Sequence, residues 1–225
     1  MLTLENVSYE PTGLRNISFS VAAGKVVVLV GPNGAGKTTL LKLILGVCQP
    51  SLGTVTYEKP YLTGNIGFLI GHAAGYPELT VEENLHIAAL LAGKYSAEHT
   101  RQAMDHWGLA AHSAKPWKQL STGLQQRVAL ARVFQYNPRL ILLDEPTNAL
   151  DPAGILTVRR AVIERAKYGA GIIVCSHYLD EVARIADQIH VLHYGRLIGQ
   201  LDPAAPDLER QFFQRIYNDD CSAEH

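Results

Sequence analysis

Eight consecutive residues, Gly31-Pro-Asn-Gly-Ala-Gly-Lys37-Thr38, match the pattern G-x-x-x-x-G-K-[ST] of a phosphate-binding loop. The glycines let successive backbone N–H groups turn toward phosphate oxygens, and the start of the following helix adds a favourable dipole. Lys37 would neutralise the β and γ phosphates of a nucleotide, and Thr38 would bind Mg²⁺. The predicted nucleotide contacts in this segment are Gly31, Pro32, Asn33, Gly34, Ala35, Gly36, Lys37, Thr38 and Thr39.

Two acids, Asp144 and Glu145, follow the apolar run at 140–143. Carboxylates at the end of a buried strand cost free energy unless they have partners, and Mg²⁺ is the partner that a phosphate loop in the same chain suggests. Asp144 would then hold the metal through water, and Glu145 would accept a proton from the water that attacks the phosphate. The alternative is a strand that simply ends in a solvated turn.

Composition and charge limit the classes of protein that the chain can represent. It has 225 residues, 47% hydrophobic and 18% charged, which favours one folded α/β domain and argues against intrinsic disorder. The net charge of −1 argues against bulk binding of nucleic acid. We expect neither a signal peptide nor a membrane span, and therefore a cytoplasmic location. The three cysteines are far apart and are expected to be reduced, without a zinc site.

The elements that position these motifs alternate between strands and helices. Apolar alternation at 2–7 and 17–21, with Pro11 and Gly13 between, predicts an antiparallel edge hairpin. The apolar run at 26–30 predicts a buried strand before the phosphate loop, and 37–45 predicts a helix that Gly46 ends. Further strands are predicted at 53–57, 66–70, 140–143, 172–175, 188–193 and 197–201, and helices at 81–93, 97–107, 120–136, 155–167 and 178–186. This order predicts a mainly parallel sheet covered by helices on both faces.

A third motif, Leu120-Ser-Thr-Gly-Leu-Gln-Gln-Arg127, stands before the two acids. With it, the chain resembles the nucleotide-binding subunit of ABC (ATP-binding cassette) transporters over nearly its whole length. This signature separates the family from other P-loop proteins. The resemblance implies that Ser121 and Gly123, at a helix N-terminus, contact the γ-phosphate bound to the opposing subunit of a dimer.

Three further positions match motifs of the family. Asp151, in Asn148-Ala-Leu-Asp151, resembles the D-loop, and His177 resembles the switch histidine that contacts the γ-phosphate. Tyr9 stands at the usual distance before the phosphate loop for stacking on adenine. Taken singly, a tyrosine in a strand is more often a packing residue. A single histidine more often has its hydrogen bonds satisfied by neighbouring residues. The order of the motifs along the chain favours the family roles.

The resemblance implies an α/β fold: a P-loop NTPase core (RecA-like, mainly parallel sheet) with an antiparallel β subdomain and an inserted helical subdomain. The whole chain, 1–225, would form one ABC ATPase domain, with the core at about 1–70 and 121–205 and the helical subdomain at about 71–120. A C-terminal tail is expected at about 206–225, and residues 202–209 and the acidic end of the chain are expected to be solvated.

The resemblance also implies function. ATP and Mg²⁺ would be the cofactors, and Lys37, Glu145 and His177 the catalytic residues of sites shared within a homodimer or with a paired second cassette. The working partner would be a separate integral membrane subunit, reached from the cytoplasmic face of the cell membrane, and no nucleic acid partner is expected.

Two motifs depart from the family pattern. In the signature, Thr122 replaces a glycine and Leu124 a glutamine, a variant that resembles antibiotic-efflux and heme-exporter ATPases and so favours export. After the predicted strand 66–70, the chain reads Gly71-His-Ala-Ala-Gly75 where the family places a glutamine that reaches Mg²⁺. Loss of that oxygen is expected to weaken or retime hydrolysis, since water can fill the position. His72 could substitute by a hydrogen bond, or the segment could be only a flexible glycine loop.

Other functions remain as alternatives. A non-transport or regulatory ABC ATPase with weak hydrolysis would fit the missing glutamine. A soluble ABC ATPase that acts on DNA or ribosomes would need a coiled-coil insertion, a second cassette or a basic surface. A GTPase would need an Asn-Lys-x-Asp motif, which is absent from the sequence.

Overall fold

The computed structural model describes residues 2–58 and 65–223. The chain divides into two compact units, of which the first consists of Met1–Lys59 and Gly171–His225 and the second of Pro60–Ala170. The strands are β1 (Leu2–Tyr9), β2 (Leu14–Val21), β3 (Val26–Val30), β4 (Leu52–Tyr57), β5 (Ile66–Leu69), β6 (Leu140–Asp144), β7 (Gly171–Ser176), β8 (Gln188–His193) and β9 (Arg196–Leu201). The helices are α1 (Lys37–Leu45), α2 (Val81–Leu91), α3 (Ala97–His106), α4 (Thr122–Phe134), α5 (Pro152–Lys167), α6 (Leu179–Ala183) and α7 (Leu208–Ala223).

An antiparallel sheet in the first unit has the order β2-β1-β4. The predicted hairpin of β1 and β2 is confirmed, with Leu4 opposite Phe19. Its predicted edge position is wrong for β1, because β4 pairs along the other side of that strand, with Leu4 opposite Val55. Leu2, Leu4 and Val7 are buried, so β1 is the central strand of this sheet.

The remaining strands of the first unit lie around β3. This strand pairs in parallel with β7 and β8, and β9 pairs antiparallel to β8. All five residues of β3 are buried, as expected for the continuous apolar run of a parallel strand with both faces covered. The predicted strands in this part of the chain are confirmed.

The second unit contains the parallel pair β5 and β6 and the helices α2 to α5. The predicted helices are confirmed with shifts of a few residues at their ends. Helix α4 begins at Thr122, two residues later than predicted, because Ser121 is its N-cap and accepts a hydrogen bond from the Leu124 N–H at 3.4 Å.

Residues 208–223 form helix α7, which lies within the C-terminal tail expected at about 206–225 and was not itself predicted. Leu208 is buried and Asp219 is half-buried, so one side of this helix packs against the protein. Residues 224 and 225 lie outside the described part of the chain. Within residues 2–58 and 65–223, no helix combines the length and the apolar character that a membrane crossing requires.

Candidate nucleotide-binding site

The phosphate loop connects β3 to α1 in the first unit. Gly34 and Gly36 have φ of 83° and 107°, values in the left-handed region that glycine adopts readily. Gly36 is the N-cap of α1, so the amide groups of the first helical turn face the loop. Pro32, Asn33 and Gly34 are exposed. The loop therefore presents backbone donors and the positive end of a helix dipole to solvent, which is the arrangement that binds a phosphate.

Lys37 lies along this loop. Its side chain is only 7% exposed, and its Nζ donates to the carbonyl oxygens of Gly31 at 2.6 Å and Pro32 at 3.1 Å. These two bonds hold the ammonium group inside the loop.

Close packing leaves no room for a side chain at Gly31, and a side chain at Gly36 would displace the end of the Leu14 side chain. A Cβ on Gly31 would lie 2.1 Å from the carbonyl oxygen of Leu192, and one on Gly36 would lie 2.7 Å from a methyl carbon of Leu14. Gly195, in the turn between β8 and β9, donates its N–H to the Ala35 carbonyl at 3.1 Å. The loop is thus supported from behind by β2 and by the β8–β9 turn.

His177 and Tyr9 are also in the first unit. Val30 pairs with Ser176, so His177 leaves β7 beside the point where the loop leaves β3. His177 is exposed, and its ring lies 3.9 Å from that of Tyr178.

Tyr9 ends β1 opposite Leu14, the residue that packs over Gly36. A hydrogen bond with Cys48 raises the pKa of the Tyr9 hydroxyl above its ordinary value. The sequence assigns no role to Cys48, and no motif or spacing in it predicts a contact between Tyr9 and Cys48.

The two acids end β6 in the second unit. Asp144 is 5% exposed and accepts a hydrogen bond from the Gly71 N–H at 3.3 Å. Glu145 has φ of 47°, the start of a turn in which its carbonyl accepts from the Asn148 N–H at 3.2 Å. The burial of Asp144 shows that β6 does not simply end in a solvated turn.

The signature helix and the D-loop form one cluster in the second unit. A Cβ on Gly123 would lie 2.8 Å from the carbonyl oxygen of Ala149, so glycine is needed there for packing within the chain itself. Asp151 is the N-cap of α5 and accepts from the Gly154 N–H at 2.8 Å. Arg127 of α4 donates to the same carboxylate at 2.6 Å. Both hydrogen bonds lower the pKa of the Asp151 carboxyl group below its ordinary value of 3.8, and the bond from the Gly154 N–H has the larger effect.

Gln126 is a site residue that we did not single out from the sequence. It is 8% exposed, and its Nε2 donates to the Pro146 carbonyl at 2.9 Å and the Glu145 carbonyl at 3.5 Å. It therefore ties the signature helix to the turn that carries Glu145. Its place within the signature motif was the available signal.

Residues 71–75, where the family's glutamine is missing, contact Asp144 through the backbone. Gly71, with φ of 74°, directs its N–H to Asp144, while His72 lines a neighbouring pocket. A Cβ on Gly75 would lie 2.4 Å from the Trp117 ring.

Asn84, which is fully buried, secures the following turn. Its Nδ2 donates to the carbonyl oxygens of Tyr76, Leu79 and Thr80, and its Oδ1 accepts from the Tyr76 N–H at 2.8 Å. Four hydrogen bonds from one side chain hold the turn at 76–80 in place.

The pocket beside His72 lies between β5, α2 and α4 and has a volume of about 310 Å³. Phe68 and Leu91 line it and are 50% and 65% exposed. Arg132 also lines it and donates to the Ala74 carbonyl, and burial lowers the pKa of its guanidinium below the ordinary value.

A phosphate loop at a helix N-terminus, a buried acid after a parallel strand and a capped signature helix together define an ATP-binding domain of the P-loop class. The chain belongs to the ABC transporter family, because residues 14–148 match the family described as "ABC transporter". The predicted resemblance is confirmed.

The relatives are named for transport of different compounds, and one of them is named for import. The chain is 36% identical to the bacitracin transport ATP-binding protein BcrA of Enterococcus faecalis over 86% of this chain and 65% of that protein. It is 32% identical to the lantibiotic transport ATP-binding protein SrtF of Streptococcus pyogenes over 96% of this chain and 97% of that protein. It is also 33% identical to the methionine import ATP-binding protein MetN of Caulobacter vibrioides over 99% of this chain and 75% of that protein.

Solved structures confirm the predicted fold class. An ATP-binding subunit of an ABC transporter has a TM-score of 0.83 and 28% identity, covering 100% of this chain and 98% of that one. The ATP-binding cassette MJ0796, solved as a dimer in a post-hydrolysis state with ADP and Pi, has a TM-score of 0.81 and 26% identity, covering 91% of this chain and 100% of that one.

Proposed function

We propose that this chain binds and hydrolyses ATP as the ATP-binding subunit of an ABC transporter, whose translocation path is a separate membrane protein. The observation that carries the proposal is the phosphate loop, in which Lys37 is held by two carbonyl oxygens and the amides of α1 are presented to solvent. Each nucleotide would lie between residues 31–38 of one copy and 121–123 of another, or of a paired second cassette. The exposed N-cap position of Ser121 supports this second half of the site.

The residues divide the chemistry as follows. Lys37 and the loop amides bind the β and γ phosphates, and Tyr9 stacks on the adenine. Glu145 takes a proton from the attacking water, and His177 steadies the γ-phosphate. Asp151 keeps the D-loop in place beside the signature of its own chain, where its two hydrogen bonds already hold it.

Thr38 and Asp144 are the residues that would hold Mg²⁺. A hydroxyl in the first turn of α1 and a carboxylate that is 5% exposed supply the oxygen ligands that Mg²⁺ prefers, with phosphate oxygens and water as the remaining ligands. When bound, the ion would supply positive charge to the phosphate oxygens. The Gly71 N–H keeps the Asp144 carboxylate oriented in the absence of the family's glutamine.

Steady-state phosphate release from the purified chain tests the proposal. We expect Lys37→Ala to lose nucleotide binding and turnover, with Lys42→Ala, an exposed lysine on the same helix, as the matched control. Glu145→Gln should lower turnover by about 10²- to 10⁴-fold while ATP still binds, because only the proton transfer is removed.

Wild-type turnover in the Lys37→Ala variant would refute the role of the phosphate loop. The absence of turnover in the wild-type chain, with ATP binding intact, would favour the regulatory alternative. Comparison of ATP with GTP as substrate separates an ATPase from a GTPase.

We propose that the direction of transport is export. The chain itself would act at the cytoplasmic face of the cell membrane. Thr122 in the signature and the similarity to proteins named for bacitracin and lantibiotic transport support export, and ATP is a cytoplasmic metabolite. Cells that express the chain with its membrane partner would show lower sensitivity to the exported compound, and Lys37→Ala would abolish that protection.

A further inference from the structure

Helix α7 packs on the first unit through a face that is largely polar. Its half-buried or buried side chains recur at intervals of three and four residues, as they do on the inner face of a helix. These side chains are Leu208, Gln211, Phe212, Arg215, Ile216, Asp219 and Asp220. The helix contacts α6, β8 and β9. The docking is therefore specific, although only part of the face is apolar.

Asp219 uses both carboxylate oxygens in this contact. Its Oδ2 lies 2.8 Å from Nδ1 of His193, and its Oδ1 accepts from Arg196 at 3.1 Å. His193 is 4% exposed, and the Asp219 side chain is 15% exposed. The low exposure of His193 and Asp219 makes their hydrogen bond stronger than a comparable one on the surface.

His193 and Arg196 are the two residues that flank the β8–β9 turn. They pair with each other across the hairpin, and Tyr194 and Gly195 between them have φ of 42° and 74°, as in a two-residue turn of type I′. Asp219 therefore joins the two sides of this turn from outside the hairpin.

The same turn touches the phosphate loop directly. Gly195 donates its N–H to the Ala35 carbonyl at 3.1 Å, and the Leu192 carbonyl oxygen occupies the space beside Gly31 that a side chain would need. A series of contacts thus connects Asp219 of α7, through the β8–β9 turn, to Gly31 and Ala35 of the phosphate loop. Every contact in it lies within the first unit.

We propose that Asp219 is a positioning residue for the phosphate loop: by holding both ends of the β8–β9 turn, it keeps the loop in the conformation that accepts phosphate. The proposal rests on the nucleotide binding proposed above. A loop that is already ordered loses less conformational entropy when it binds a ligand, so loosening it weakens affinity. Contacts of this kind alter affinity by about threefold to tenfold.

The test compares Asp219→Ala with Asp220→Ala. Asp220 has the same charge on the same helix, but its oxygen lies 3.6 Å from His193 Nε2, beyond hydrogen-bond length. We expect the KM for ATP, and the Kd of a fluorescent ATP analogue, to rise about threefold to tenfold in Asp219→Ala, with kcat retained, and to change less than twofold in Asp220→Ala. Hydrogen exchange at the Gly195 amide should quicken in the first variant alone, also without nucleotide.

Asp219→Asn keeps the size of the side chain and one acceptor, so an intermediate KM is expected; this variant serves if Asp219→Ala does not fold. A lower kcat with an unchanged KM would mean loss of folded protein only and would overturn the proposal. So would unchanged KM and exchange in Asp219→Ala when the wild-type chain binds ATP. A wild-type chain that binds no nucleotide would overturn the proposed function together with this inference.

Discussion

Asp151 shows how one side chain serves both local structure and the site. It caps α5 through the Gly154 N–H and pairs with Arg127 of the signature helix. A sequence comparison of motifs assigns this residue to the D-loop without indicating either contact. The structure assigns both contacts to one oxygen, Oδ1, so the cap and the ion pair depend on each other.

We expect Asp151 to contribute to the acid sensitivity of the chain. Its pKa is lowered below 3.8 in the folded protein, so its ionised form stabilises the fold above that value, and this contribution is lost as the pH falls through the lowered pKa. Asp151→Asn can still accept from Gly154 but carries no charge for Arg127. Its unfolding free energy should therefore fall less steeply than that of the wild type as the pH falls below about 4.

The prediction is tested by measuring, at several pH values, the urea concentration at which half of the protein is unfolded. Arg127→Gln should flatten the same part of the curve, because it removes one of the two hydrogen bonds that lower the pKa of Asp151. Identical slopes in the wild type and Asp151→Asn would contradict the prediction.

At the scale of elements, α2, α4 and β5 form a pocket whose exposed apolar side chains stand beside the Arg132 guanidinium. Such a surface would suit a helix of the membrane subunit proposed above. Helix α2 is held in register there by a capping box between Thr80 and Glu83 and by the buried Asn84.

We expect Leu91→Asp to abolish co-purification of the membrane subunit without loss of ATP binding. The introduced carboxylate would have to be desolvated under the partner helix. Leu90→Asp is the matched control, because Leu90 is also exposed, on the same helix, but does not line the pocket. Retention of the partner by Leu91→Asp, or equal loss in both variants, would refute docking at this pocket.

At the scale of the whole molecule, one chain is expected to supply half of each ATP site. This expectation follows from family membership and from the exposure of Ser121, and it makes activity depend on which halves are combined. A mixture of two inactive variants tests it directly.

We expect Lys37→Ala and Ser121→Asp to be inactive alone and to recover about a quarter of wild-type turnover when mixed in equal amounts, because half of the dimers are mixed and each has one intact site. Aspartate preserves the N-cap of α4 but repels a γ-phosphate. Ser121→Asn, a neutral cap, is the control for helix stability. No recovery on mixing, with dimers present by light scattering, would argue against composite sites.

Sequence patterns predicted most strands and helices of each unit well, because β3, β6 and β7 are fully buried and rich in apolar residues. They failed for α7, whose inner face carries Leu208, Phe212 and Ile216 mixed with polar and charged side chains such as Arg215 and Asp219. The central position of β1 was also missed, since a strand's second neighbour is a contact between distant segments.

The sequence by itself determined the phosphate loop, the two acids, the signature and the family, because these depend on residue type and local spacing. Tertiary structure alone decided which groups support them: Leu192 and Gly195 behind the loop, Gln126 on the turn of Glu145, and Asp219 on the β8–β9 turn. The physical reason is that hydrogen bonds and close packing depend on distances in space, which join residues far apart in the chain.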